Sequence, residues 1–211
     1  MKRSAIFRSV AGQLAVLLLC LGSGCVRSIQ PILKDSQVTT DDRLLGNWVT
    51  SDGKKSGVVT SADDHKGYKV VYTDQDGKEA PLTVQLGKIG DMTVAECTVD
   101  PAPLHDLSDI YTLHLLPLYS FAVVEEMAPR LVLNSMDSDW LKKYIDAHPS
   151  ELAIISPPGN DSLLVISATT DDFQKFLLRH AKDDGFFGSD TTFVRPGDPT
   201  TRPSATPTTT P

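Results

Sequence analysis

From Leu44 onward, short apolar runs alternate with turn chemistry, and that alternation predicts a β-meander. Leu44-Leu45-Gly46-Asn47-Trp48-Val49 opens it, and Gly57-Val58-Val59-Thr60 follows. The polar stretch Asp63-Asp64-His65-Lys66-Gly67 then leads into Tyr68-Lys69-Val70-Val71-Tyr72-Thr73. Asp74-Gln75-Asp76-Gly77 closes that run and Pro81-Leu82-Thr83-Val84-Gln85-Leu86 comes back, because Asp-Gly between two β-rich segments is a strong hairpin signal. Gly90-Asp91 marks the next turn before Met92 to Val99, and residues 100 to 109 form a loop around Pro101 and Pro103. Ile110 to Val124 reads as one or two strands broken near Pro117, since an interior proline argues against a continuous central strand. Glu125 to Arg130 turns the chain and Leu131-Val132-Leu133 pairs back. A turn about every 8 to 12 residues indicates a meander that closes into a barrel or a sandwich.

Two stretches switch to helical spacing. Asp137-Ser138-Asp139 offers caps for Trp140-Leu141-Lys142-Lys143-Tyr144-Ile145, which Pro149 stops. Leu163-Leu164-Val165-Ile166 is a further strand after the turn Pro157-Pro158-Gly159-Asn160. Thr170-Asp171-Asp172 then caps a helix from Phe173 to Lys182, whose Phe173, Phe176, Leu177 and His180 form one stripe to pack on the sheet or plug one end of it. The expected fold is therefore mainly β (α+β), an antiparallel meander with two short helices over residues 43–195.

The flanks differ in kind. Lys2, Arg3 and Arg8 precede the apolar run Val10 to Leu21, and Leu21-Gly22-Ser23-Gly24-Cys25 follows. A basic start, an apolar stretch and small residues before a cut read as a secretory signal peptide over residues 1–24. The run falls short of the roughly 20 residues that span a hydrocarbon core. Val26 to Asp42 is polar, holds Pro31 and shows no period, which predicts a tether that spaces the domain from the membrane, with its end free or tucked against the fold. Residues 196–211 are mostly Pro and Thr; with no apolar face to offset the ordering entropy, this tail is expected to be disordered.

Ser23-Gly24-Cys25 resembles the lipobox of bacterial lipoproteins, in which the thiol is acylated and becomes the first mature residue. Gly22 stands where that family usually has Leu, which lies one place earlier at Leu21. The resemblance implies acyl chains such as palmitate on Cys25 and a cell-envelope location. Val26 rather than Asp after the cysteine favours the periplasmic side of the outer membrane in a diderm host.

Charge and cysteine content bound the partners. The export segment takes three of the 20 basic residues and none of the 27 acidic ones, so the mature chain carries 17 against 27, a net of −10. Such a surface repels phosphate backbones and anionic headgroups, which disfavours nucleic acid and leaves membrane contact to acyl chains. With Cys20 in the signal segment and Cys25 the lipid site, Cys97 is the single cysteine of the mature domain, and the fold depends on its core rather than on a disulfide. Period-2 alternation puts Cys97 on one face with Thr93, Ala95 and Val99, the setting of a core residue rather than a nucleophile.

Gly46-x-Trp48 resembles the signature at the first strand of lipocalins and related small barrels. Gly46 would let the chain bend tightly into the barrel while the Trp48 ring closes its base. The wider layout resembles a group of uncharacterised predicted bacterial lipoproteins. That likeness is carried by the Gly46-x-Trp48 start, Tyr72-Thr73-x-x-Asp76-Gly77-Lys78, Leu116-Pro117-Leu118, Trp140-Leu141-Lys142-Lys143 and Phe176-Leu177-Leu178-Arg179-His180-Ala181. It brings no activity with it.

Catalytic patterns are scarce. His65, His105, His114, His148 and His180 do not pair at metal-ligand spacing, and no His-Glu-x-x-His or Cys-x-x-Cys occurs, so no metal is expected. Asp74-Gln75-Asp76-Gly77 looks like a calcium-loop fragment but lacks the further oxygens and the distant Glu, which leaves a hairpin turn. There is no Gly-x-Ser-x-Gly elbow, phosphate loop or dinucleotide fingerprint, so no cofactor and no enzyme activity are expected. Tyr68, Tyr72, Tyr111, Tyr119 and Phe121 are candidates to line an interior. The expectation is a lipid-anchored module with a non-catalytic role, binding a small hydrophobic ligand. The rivals are a protein-contact module (assembly factor or inhibitor) and a hydrolase with a dispersed site.

Overall fold

The computed structural model describes residues 26–63, 66–100, 117–156, 163–188 and 190–197. The signal segment, Cys25, His65, His105, Tyr111, His114, the turn Pro157–Asn160 and the tail from residue 198 lie outside the described residues. In chain order the strands are β1 (Arg27–Ser28), β2 (Val38–Thr39), β3 (Gly46–Thr50), β4 (Ser56–Ser61), β5 (Tyr68–Thr73), β6 (Glu79–Ile89), β7 (Met92–Val99), β8 (Ser120–Glu126) and β9 (Leu131–Asn134). Helix α1 (Ser138–Ala147), strands β10 (Ile154–Ile155) and β11 (Val165–Ile166), helix α2 (Thr170–His180) and strand β12 (Thr191–Val194) complete the fold.

Strands β3 to β9 pair antiparallel, each with the next, and β12 bridges β9 and β3, which closes an eight-stranded lipocalin-like barrel. Closure, rather than a sandwich, leaves the barrel without an open edge. Asp74 makes one of its hairpins: its carboxylate accepts from the N–H groups of Asp76 and Lys78, both at 2.9 Å, and Gly77 takes φ +76°. Because neighbours run in opposite directions, turns 51–55 and 74–78, the end of β7 and the start of β8 share one end of the barrel. Turns 62–67, 90–91 and 127–130 share the other.

Inward-facing residues of the barrel form one core, including Leu44, Trp48, Val59, Tyr68, Leu86, Val124 and Leu131. A second core lies outside, where both helices and the small sheet β1-β11-β10 cover the wall of β7 and β8. Phe121, Val94 and Val123 on that wall meet Phe173, Phe176 and Leu177 of α2 and Leu141 of α1. The wall is therefore buried on both faces, which is why Phe121 to Val124 is a continuous apolar run, whereas β4 alternates. The α2 stripe packs on the outer wall and does not plug an end of the barrel. Phe121 likewise points outward, its ring edge-on to Phe173 at 5.2 Å.

The structure corrects the expectation of a tether. Residues 26–42 are integral: Val26 is 5% exposed and Ile32 is fully buried. β1 pairs parallel with β11, and β2 pairs antiparallel with β6 at Leu86 and Gly87. Gly87 makes that approach feasible, since a Cβ there would stand 2.9 Å from the carbonyl oxygen of Gln37. Three polar side chains clamp the segment. The Glu96 carboxylate accepts from the N–H groups of Ile32 and Leu33, Gln174 donates to the Ile32 carbonyl at 2.6 Å, and Thr170 donates to the Pro31 carbonyl at 2.6 Å. The sequence conceals this because the bonds run to backbone and follow no period.

Candidate functional site

The barrel interior holds a cavity of about 260 Å³ whose lining is almost wholly apolar. Val59, Val70, Val84, Ala95 and Val124 form its wall, and Leu44, Trp48, Leu86 and Leu131 lie toward its floor. Tyr72, Leu82, Cys97, Ser120 and Ser135 stand at the opposite end. Burial follows that axis: the floor residues are buried, while Tyr72, Leu82, Cys97 and Ser120 are partly exposed and Ser135 is exposed. Among the described residues, buried side chains close the Trp48 end, and the partly exposed ones form a mouth at the end bearing the β7–β8 connection, of which residues 101–116 lie outside the described residues. The cavity's polar side chains, Tyr72, Cys97, Ser120 and Ser135, gather at that mouth.

The floor is latched by hydrogen bonds and a cation–π contact around Trp48. Trp48 is 2% exposed, and its indole N–H donates to the Leu44 carbonyl at 2.7 Å. The Arg195 guanidinium lies 3.6 Å over the Trp48 ring and donates to the carbonyls of Arg43 (2.7 Å) and Asn47 (3.2 Å). Partial burial lowers its pKa from the ordinary arginine value. Gly46 has φ +104°, and a Cβ there would sit 3.1 Å from an Arg195 nitrogen. Gly46 thus serves two needs, a left-handed backbone and room for the guanidinium. Alongside, the Tyr68 hydroxyl accepts from the Asp41 N–H at 2.6 Å and donates to the Asp41 carbonyl at 3.1 Å. Burial pushes its pKa up.

Sequence reasoning found Gly46 and Trp48 but missed Arg195, which follows the last barrel strand directly; the short run of β-favouring residues Thr191 to Val194 was the available signal. Cys97 and Ala95 face the cavity as alternation predicts, while Val99 ends the strand 56% exposed. Tyr68 closes over the interior and Tyr72 lines its mouth, but Tyr119 packs against the outer core. Cys25 lies outside the described residues.

Outside the barrel, Glu96 is the notable buried acid. Burial raises its pKa above the usual carboxylate value, against the opposing pull of the Ile32 and Leu33 N–H groups. Of the described histidines, His148 has Nδ1 3.0 Å from the Tyr144 carbonyl, at the end of α1. His180 lies in a nest of Trp140, Tyr144 and Phe176, its Nδ1 2.6 Å from Asp183. Among the described residues no group of three or more potential metal ligands comes together.

The fold and the cavity define a class: a small closed antiparallel barrel with an apolar interior whose polar side chains gather toward one end. No protein-family model matches the chain, and neither a curated protein nor a solved structure matches it. The functional argument therefore stands on geometry.

Proposed function

We propose that this protein is a lipid-anchored envelope lipoprotein whose barrel holds a small hydrophobic ligand without transforming it. The cavity carries the reading. An enclosed apolar space gains about 25 cal/mol for each Å² of apolar ligand surface taken from water, and the polar mouth suits a ligand with one polar end. Size narrows the class. About 260 Å³ exceeds the roughly 150 Å³ that accommodates benzene and falls below the roughly 300–1,000 Å³ of drug-sized pockets. A single alkyl chain or one small ring fits; a whole two-chain lipid does not. Acyl chains on Cys25 would supply the anchor, with the outer membrane favoured by Val26 in a diderm host.

The test is calorimetric titration of the unacylated Cys25→Ala variant with a medium-chain fatty acid. Saturable binding of one ligand per chain is expected, with the negative heat-capacity change of apolar burial. Ala95→Phe, which fills the cavity, should abolish it while leaving the circular dichroism unchanged. A flat titration of folded protein would sink the small-ligand reading. Intact mass and membrane fractionation of the native chain against Cys25→Ala test the anchor: an acylated mass and release of the variant are expected.

A second reading, a protein-contact module, draws on one feature. Val58 and Val71 are cross-strand neighbours on the outer wall, 46% and 42% exposed. If that pair is an interface, Val58→Asp should release a partner that the parent chain retains in affinity capture from membranes.

A further inference from the structure

The alternation that sends Leu82, Val84, Ala95 and Cys97 into the barrel sends Thr83, Gln85, Glu96 and Thr98 to its outer surface. Gln85 stands directly across from Glu96, and Thr83 from Thr98. The four side chains therefore form one polar patch, with neighbours about 5 Å apart across the strands and about 7 Å apart along them. Parts of the segment 30–35, Thr170 of α2 and Tyr119 complete the lining of a groove of about 540 Å³ over this patch. The barrel wall separates the groove from the interior cavity, and the two share no lining residue.

Glu96 is the residue that points to a ligand. It is 4% exposed, yet only one of its carboxylate oxygens is engaged: Oε2 accepts from the N–H groups of both Ile32 and Leu33. Oε1 has no hydrogen-bond partner among the described residues. Nor is it fully enclosed, because the enclosed unpartnered side-chain atoms among those residues are Asn134 Oδ1 and His180 Nε2. Its way out is the groove that Glu96 lines. A buried acceptor without a donor costs stability, and burial already raises the pKa of this group. A hydroxyl reaching it through the groove would form a strong charge-assisted bond.

The surroundings select against a charged ligand. Lys34 on the rim is ion-paired with Asp171 and is followed by Asp35, so the rim carries both signs. An anion would meet Glu96. A metal ion would find one carboxylate, since no group of three potential ligands comes together among the described residues. What the floor presents is reciprocal, because hydroxyls and amides both donate and accept. Thr98 donates to the Leu118 carbonyl at 3.3 Å and keeps its lone pairs, while Thr83 and Gln85 make no side-chain hydrogen bond to other described residues. Ring hydroxyls, each a donor and an acceptor, complement that set, and Tyr119 adds aromatic surface for the C–H face of such a ring. We propose that this groove is a second binding site, for a neutral polyhydroxylated ring of the sugar class, with Glu96 Oε1 and the side chains of Thr83, Gln85 and Thr98 as its hydrogen-bonding floor. Neither the anchor nor the barrel cavity enters the argument, so failure of this site would leave the function proposed above untouched.

The test is NMR titration of the isotope-labelled protein with methyl β-glucoside, methyl N-acetyl-β-glucosaminide and cellobiose, and with ethylammonium and acetate as charged probes. Saturable shifts of the Thr83, Gln85, Glu96 and Thr98 amides are expected with at least one sugar and with neither charged probe. Thr83→Val and Gln85→Ala alter partly exposed positions, so both variants should fold, and each should weaken binding about three- to tenfold. Glu96→Gln keeps an oxygen for the Ile32 and Leu33 N–H groups, so the segment stays docked while binding weakens about tenfold. No saturable shift with any of the three sugars would overturn the proposal. Shifts confined to Val59, Val84 and Leu86 of the barrel interior would do the same. An equal response to ethylammonium or acetate would overturn the neutral-ligand assignment. Sugar affinity unchanged in folded Glu96→Gln and Gln85→Ala would overturn the placement of the site.

Discussion

Arg195 meets three constraints at once: the face of Trp48, the carbonyls of Arg43 and Asn47, and the space above Gly46. Arg195→Ala should cost about 1–3 kcal/mol in urea unfolding, as a cation–π contact and charge-assisted hydrogen bonds are lost. Arg195→Lys should recover part of that and not all, because an ammonium lacks the planar fork. Gly46→Ala should cost about as much, through a strained φ and a crowded guanidinium. Glu96 makes a prediction of opposite character. Its pKa is raised in the folded chain, so folding takes up protons, and this group's contribution to stability falls as pH rises from the ordinary glutamate value of about 4.3 through the raised one. Glu96→Gln keeps an oxygen for the Ile32 and Leu33 N–H groups and removes the charge. Its stability relative to the parent chain should therefore improve between about pH 4 and about pH 7. Equal differences at both values would refute the assignment. Gly46 and Trp48 were legible because they form a local motif. Arg195 and Glu96 were not, since their partners are a remote ring and remote backbone groups.

At the scale of elements, the segment from Val26 to Thr39 behaves as a strap held by side chains of β7 and α2. Gln174 donates to the Ile32 carbonyl and exchanges bonds with Gln37, so Gln174→Ala leaves buried groups without partners. The expected cost is about 1–3 kcal/mol, with faster hydrogen exchange at Ile32 and Leu33 before the barrel strands respond. The long elements were readable. Met92 to Val99 was placed to the residue, and both helices lie where 3.6-residue spacing puts them; Asp137 caps the first as expected, whereas the second is capped by Thr169 and already includes Thr170 to Asp172 in its first turn. The two-residue strands β1, β2 and β10 were not, because two residues cannot display a period and their pairing depends on what tertiary packing brings alongside, whereas β11 falls within the apolar run Leu163 to Ile166 that reads as a strand. The strap was read as a tether for the same reason: its buried residues, Val26, Ile32 and Leu33, are too irregularly spaced to mark a face.

At the scale of the molecule, β7 and β8 are a party wall between two cores, and the chain's two tryptophans report on one side each, Trp48 inside the barrel and Trp140 against the outer cluster. Single-tryptophan variants made by Trp48→Phe and Trp140→Phe should give coincident urea transitions, because neither core survives loss of the shared wall. Separated midpoints would mean that the outer layer unfolds as its own unit. A bound alkyl chain should raise stability by mass action, about 2.7 kcal/mol at a hundredfold excess over Kd.

In the lipoprotein proposed above, the burial of Val26 would also set an order of events in maturation. An enzyme that cuts before Cys25 and acylates it must grip extended chain on both sides of the bond, and in the finished fold one side is locked between Tyr119 and the β11 strand. Processing therefore has to precede docking, with β1 joining its sheet as a late step. Once it has docked, the new amino terminus is shielded from trimming by the same contacts that position it.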